Sequence, residues 1–242
     1  MNKLITAAAV SAGILLSTPA LARNLDVEIT NLTNGLYFTP LLVAAHDSDT
    51  HLFQAGTEAS ASLQAMAEGG DTSGLAVIVE EAGGAVADVS DQSPDDDFPF
   101  LRPGETATAS LKIKGRHKAY LSITGMLLPT NDGFVGLDAL MIPKKKGTYT
   151  YLIEAYDAGT EANDELIVGM PGGAPGVPGI PGDPSGAGGS MGTGVAGADH
   201  NMKVHVHRGV IGDTDPDGGL SDLNRDVHRF NNPVAKVVVK VK

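Results

Sequence analysis

The chain reads LPTNDGFVGLD over residues 128–138, and a second acidic segment, YDAGTE, follows over residues 156–161. Each segment comes after a run in which apolar and polar residues alternate, which is the pattern of a half-buried β-strand. Asp, Asn and Gly also favour turns. We therefore expect both acidic segments to be loops that lie at the same end of a β-structure.

Strand patterns extend outward from these two segments through most of the chain. Apolar and polar residues alternate over residues 25–30, 107–114, 119–123, 148–155, 204–207 and 235–242. Residues 37–44 form a more continuous apolar strand. Alternation with a period of two directs one set of side chains to a core and the other to water. The sequence therefore predicts an all-β fold, an antiparallel two-sheet β-sandwich of about eight strands.

Helical periodicity is confined to the region between residues 57 and 81. Thr57 is placed to cap a helix, and the glycines at 69–70 end it. The apolar stripe of this helix comprises Ala59, Leu63, Met66 and Ala67. Residues 75–81 are expected to form either a second short helix or a strand. The sandwich should thus carry one or two short helices in its connections.

The composition argues against several classes of function. Among 242 residues there are 17 Lys and Arg against 29 Asp and Glu, and a formal charge of −12 disfavours nucleic-acid binding. The absence of Cys excludes disulfides, thiolate zinc sites and a cysteine nucleophile. No nucleophile elbow, P-loop, Rossmann glycine pattern or zinc-protease helix is present. We therefore expect a chain that is not an enzyme.

The first 22 residues have the pattern of a secretion signal. Lys3 precedes an apolar run over residues 4–16, and small residues at positions 20 and 22 form a cleavage site. That run is too short to span a bilayer. We expect residues 1–22 to be a signal peptide, and the mature protein to be periplasmic or secreted without a transmembrane segment.

Glycine and proline are concentrated in residues 171–198, which hold 11 of the 31 Gly and 5 of the 14 Pro. Four Gly-X-Pro triplets occur there, and this number is too small for a collagen triple helix. We expect a flexible insertion between two strands. The domain prediction is therefore one domain over residues 23–242 that contains this insertion.

The acidic segments carry the chemistry of a calcium site. Calcium takes about 6–8 oxygen ligands at roughly 2.3–2.6 Å. Asp157 and Glu161 flank a short turn that can fold both carboxylates toward one ion, and the loop that contains Asp132 is expected to lie beside it. The alternative interpretation is that these residues are solvated turn residues.

A third acidic loop begins at Asp213. Asp213, Asp215 and Asp217, followed by Gly218, match positions 1, 3, 5 and 6 of an EF-hand calcium loop. Position 12 is Asn224 instead of the bidentate Glu. We expect either a second calcium loop or a polar turn that is closed by hydrogen bonds to its own Asp side chains.

The first two segments together resemble the spondin domain, the N-terminal domain of F-spondin-like matrix proteins. That family has a Pro-x-x-Asp segment ending in Val-Gly and a later Asp-Ala-Gly-Thr-Asp segment. The resemblance implies an eight-stranded antiparallel β-sandwich with a calcium ion bound at one end by Asp132, Asp157 and Glu161. It also implies roles in adhesion and extracellular matrix. Glu161 stands where the family has Asp, and the family's disulfide cannot form here.

The function predicted from these features is an exported, non-catalytic, calcium-binding module. Its expected partner is an extracellular or cell-surface protein or glycan. Two alternatives remain open. His205 and His207 lie two residues apart on a predicted strand and can share a face, as zinc or copper ligands of an enzyme do; they can equally form the polar face of a strand whose apolar face holds Val204 and Val206. A calcium-dependent carbohydrate-binding module is the second alternative.

Overall fold

A computed structural model describes residues 23–89, 100–113, 119–167, 192–195, 201–215 and 217–242 of the chain. The predicted signal peptide, residues 1–22, lies outside these ranges. Of the predicted insertion at residues 171–198, only residues 192–195 are described. Both predictions stay predictions.

Ten strands and three helices occupy the described residues. The strands are β1 Arg23–Asn31, β2 Tyr37–Phe38, β3 Leu41–His46, β4 Ala85–Val89, β5 Thr106–Ile113, β6 Tyr120–Leu128, β7 Gly133–Met141, β8 Gly147–Asp157, β9 His205–Val206 and β10 Ala235–Val241. The helices are α1 Ala61–Gly69, α2 Ser73–Glu81 and α3 Arg225–His228.

All the strands belong to one antiparallel sheet. Eight follow the order β4-β3-β6-β7-β8-β10-β1-β5, while β2 pairs with β6 and β9 pairs with β8. The outermost strands β4 and β5 lie close together, so the sheet is nearly closed into a barrel. The all-β prediction is confirmed, whereas the two-sheet sandwich is not.

The long strand β8 joins the two halves of the sheet. Residues 147–153 of this strand pair with β10, and residues 154–157 pair with β7. A strand of 11 residues is long enough to pair with a different neighbour at each end. Hydrogen bonding therefore continues across the region where a sandwich would have separated its two sheets.

The strands β1, β5 and β10 follow the alternation that the sequence predicts. On β1, Leu25, Val27 and Ile29 are fully buried. The residues between them face outward, and on that side Lys240 forms an ion pair with Glu28. These strands have one buried and one exposed face, which is the condition under which alternation is visible in a sequence.

The strands β3 and β7 are covered on both faces and show no such alternation. Phe134 packs with Phe53 and Tyr156 on one side of β7, with ring centroids 5.0 and 5.8 Å away. Val135, the next residue, lies in the main core on the other side. The loop predicted for the first acidic segment, residues 128–138, is therefore wrong from residue 133 onward, where β7 begins.

The helices α1 and α2 supply the cover for β3, β6 and β7. Leu63, Met66 and Ala67 are buried, as the stripe of the first helix predicts. The first helix begins later than predicted, because the side chain of Ser60, and not that of Thr57, accepts a hydrogen bond from the N–H of Leu63 at 3.1 Å. The segment 75–81 belongs to the second helix, so the strand alternative is wrong.

Exchange of the capping residue tests this helix boundary. Ser60→Ala removes the acceptor of a helix N–H and should lower the free energy of unfolding by about 1 kcal/mol. Thr57→Ala removes only an exposed hydrogen bond to the carbonyl of Gln54 and should cost less than about 0.5 kcal/mol. Chemical denaturation of both variants measures the difference, and equal losses would contradict the boundary.

Candidate functional site

Two acidic side chains meet where β7 begins and β8 ends. Gly133 is the cross-strand partner of Asp157, which places Asp132 beside the end of β8. The N–H of Ala158 also donates to the main-chain carbonyl of Asp132 at 3.2 Å. The structure thus brings the two acidic segments of the sequence together at one edge of the fold, as predicted.

Asp132 is fully buried, and its two carboxylate oxygens differ in their surroundings. Oδ2 accepts hydrogen bonds from the N–H groups of Thr160 and Glu161 at 2.7 and 3.1 Å, and from the Thr160 hydroxyl at 3.2 Å. Oδ1 has no hydrogen-bond partner among the described residues. A buried carboxylate oxygen without a partner is costly, and a proton, a water molecule or a cation would each relieve that cost.

Asp157 is buried almost as completely, with 1% of its surface exposed. Its Oδ1 accepts from the N–H of Gly159 at 2.8 Å, and its Oδ2 accepts from the side-chain amide of Asn163 at 2.7 Å. Gly159 has a φ of 71°, and a Cβ there would lie 2.7 Å from the backbone nitrogen of Lys203. The turn that holds the Asp157 carboxylate therefore needs glycine at position 159.

The two carboxylates affect each other electrostatically. Burial, followed by the negative charge of Asp157, raises the pKa of Asp132 to about 6. The hydrogen bonds from residues 160 and 161 oppose this effect without cancelling it. Near neutral pH the site therefore holds two neighbouring anionic groups away from water, an arrangement that a bound cation would stabilise.

Glu161, the third predicted ligand, is tied to this pair through its backbone. Its N–H donates to Asp132, while the residue itself is only partly buried. It contributes to the wall of an open pocket of about 410 Å³ that also includes Gln64 and Glu68 from α1, together with Asn131 and Asp164. The structure thus brings Asp132 and Asp157 together as a buried pair and places Glu161 at the mouth of an acidic pocket.

The sequence model of one family, described as Spondin_N, matches residues 30–165, which is more than half of the chain. The chain belongs to the Spondin_N family. The matched region runs from β1 to the residues just after Asp157 and so contains the whole carboxylate pair. Membership in this family indicates an extracellular, non-catalytic domain. A search of curated proteins finds no match.

Within the described ranges, no helix is both long and apolar enough to cross a bilayer.

The third acidic loop, which begins at Asp213 and lies beyond the matched residues, is closed by its own side chains. Oδ2 of Asp213 accepts from the N–H groups of Leu220 and Ser221 at 2.7 and 2.9 Å, and Oδ1 accepts from the N–H of Asp215 at 3.0 Å. These bonds lower the pKa of Asp213. Asp215 in turn accepts from the N–H of Asp217 at 3.0 Å. The geometry is that of the polar turn, and calcium binding in this loop stays a prediction.

His205 lies in β9 and His207 follows it, and together they do not form the polar face of an amphipathic strand. Val206 is 52% exposed and His207 is buried, so the proposed alternation of Val204 and Val206 against the histidines is wrong. The Nδ1 of His207 accepts from the N–H of Gly209 at 2.9 Å, whereas the Nδ1 of His205 donates to the carbonyl of Lys203 at 2.8 Å. Among the residues described, no group of three or more His, Asp or Glu side chains is arranged to hold a metal ion.

Two residues that organise the site were missed in the sequence. Asn163 is buried and binds Asp157, as described above. Glu165 is buried with a φ of 58°, and it accepts from the N–H groups of Ile211 and Gly212 at 2.7 and 2.8 Å. The available signal was the polar run TEANDE at residues 160–165, which extends the second acidic segment beyond its recognised motif.

The raised pKa of Asp132 predicts a pH dependence of stability without metal. Between about pH 4 and 6 the carboxyl ionises in the unfolded chain but stays protonated in the fold. The contribution of this carboxyl to the free energy of unfolding is therefore complete below pH 4. It is lost as the pH rises through 6, and the total loss is roughly 3 kcal/mol. Asp132→Asn should remove this loss. Denaturation in chelator should therefore show that the free energy of unfolding of the variant increases relative to that of the wild type from pH 4 to 7. If the free energies of unfolding of the two proteins changed in parallel with pH, the assignment of this effect to Asp132 would be contradicted.

Proposed function

We propose that this spondin domain is an exported, non-catalytic interaction module that binds one calcium ion at the Asp132–Asp157 pair. The observation that carries the proposal is the fully buried Oδ1 of Asp132, which lacks a hydrogen-bond partner among the described residues and lies next to a second buried carboxylate. A cation at that position would satisfy this oxygen and offset the repulsion between the two groups.

The chemistry of the available donors favours calcium over zinc or copper. The pair offers carboxylate oxygens, which are the ligands of hard cations. The chain has no cysteine. Calcium also accepts the irregular geometry of loop carboxylates and carbonyls, whereas magnesium demands a near-ideal octahedron.

The proposed role of the ion is to order the segment that follows β8. Residues 157–165 wrap around both carboxylates, and Thr160 and Glu161 donate their N–H groups to Asp132. Loss of the ion would leave two repelling anions at the centre of this segment. An ordered segment would present the adjoining acidic pocket in one conformation. We propose an extracellular or cell-surface protein or glycan as the partner, in an adhesion-like or matrix-like role that follows from the family alone.

Thermal unfolding in calcium and in chelator tests the proposal. Calcium binding only the folded state stabilises it by about 2.7 kcal/mol when the free ion is 100 times Kd. At pH 7 we expect calcium to raise the Tm of the wild type and calorimetry to give one ion per chain. Asp132→Asn should abolish this response although its metal-free form is more stable than the wild type. Glu161→Gln should weaken binding less, because its side chain lies outside the buried pair.

Asp213→Asn is the matched control, because it removes one carboxylate from the third acidic loop. It should keep the calcium response of the wild type. If Asp213→Asn loses the response while Asp132→Asn retains it, the ion binds in the wrong loop and the proposal fails. An identical Tm of the wild type in calcium and in chelator would also overturn it.

A further inference from the structure

A second pocket, of about 320 Å³, lies between the residues that follow β9 and helix α3. Three arginines line it: Arg208, Arg225 and Arg229. The whole chain has only six arginines and a formal charge of −12. Despite the excess of Asp and Glu, none of the described residues that line this pocket is acidic. Half of the arginines of an acidic protein thus line one cavity whose described lining contains no carboxylate.

Hydrogen bonds from Glu165 and Asp213 hold the walls of the pocket together. The Glu165 carboxylate binds the N–H groups of Ile211 and Gly212, and Asp213 exchanges backbone hydrogen bonds with Leu223 and Arg225. A Cβ on Gly212 would lie 2.7 Å from the Cα of Arg225, so the two walls are in close contact. The pocket is therefore part of the packed fold.

The arginines converge from two sides. Arg208 lies at one edge, where its Nη2 donates to the carbonyl of Asn163 at 2.9 Å. Arg225 begins α3 and Arg229 caps its end, and residues four apart lie on the same side of a helix. Within the described residues, the side chains of Arg225 and Arg229 make no hydrogen bond or ion pair, although Arg225 attracts the nearby Asp213 electrostatically.

We propose that this pocket binds an oxyanion, namely a sulfate, phosphate or carboxylate group carried by a small ligand. Guanidinium groups bind such groups through two parallel hydrogen bonds, and their mutual repulsion is offset when an anion lies between them. Val210, Ile211 and Phe230 add an apolar part to the lining, which suits a ligand with an apolar group beside its anionic one. This site is separate from the proposed calcium site and does not depend on it.

Titration with sodium sulfate, followed by NMR of ¹⁵N-labelled protein, tests the proposal. The full chain is kept in chelator, and sodium chloride maintains constant ionic strength. We expect saturable shifts confined to amides in residues 208–212 and 225–231. Parallel titrations with phosphate and with benzoate distinguish the three kinds of oxyanion, and benzoate also probes the apolar lining.

Variants distinguish anion binding at the pocket arginines from a general effect of the net charge of the protein. Arg225→Gln with Arg229→Gln should weaken binding of the preferred anion at least tenfold. Arg225→Lys with Arg229→Lys should also bind more weakly than the wild type, because an ammonium lacks the planar fork of a guanidinium. Lys144→Gln with Lys146→Gln makes the same charge change at exposed positions elsewhere and should leave affinity unchanged. Shifts that do not saturate, shifts that chloride reproduces, or equal losses in the two glutamine variants would overturn the proposal.

Discussion

Two carboxylates are buried side by side where β7 begins and β8 ends, and the polar half of this fold is arranged around them. The segment after β8 donates its N–H groups to Asp132 and Asp157. The same segment then places Asn163 and Glu165, whose bonds reach Arg208, Ile211 and Gly212. A continuous series of hydrogen bonds therefore leads from the carboxylate pair to the walls of the arginine pocket.

Burial of such a pair lowers the free energy of unfolding. Burial and the neighbouring charge raise the pKa of Asp132 to about 6, so the metal-free site destabilises the protein at neutral pH. Hydrophobic residues of similar size would avoid this cost. In the proposed function, a bound calcium ion offsets the charge of these two groups.

The sequence predicted those features that depend on local patterns. Alternation revealed β1, β5 and β10, because only one face of each strand is buried. It could not reveal β7, where Phe134 and Val135 are buried on opposite faces. Nor could it distinguish a sandwich from a nearly closed sheet, since that depends on β8 pairing with different strands at its two ends. Asp132 and Asp157 were found through a motif, whereas Glu165 lies beyond it and acts through contacts distant in sequence.

A crystal structure of the protein grown with calcium, with anomalous data collected to locate the ion, tests the central claim most directly. The account predicts one anomalous peak at the carboxylate pair, within roughly 2.3–2.6 Å of Oδ1 of Asp132 and in contact with Asp157. Calcium bound only in the loop of Asp213, or no peak at the pair when calcium is present at neutral pH, would contradict it.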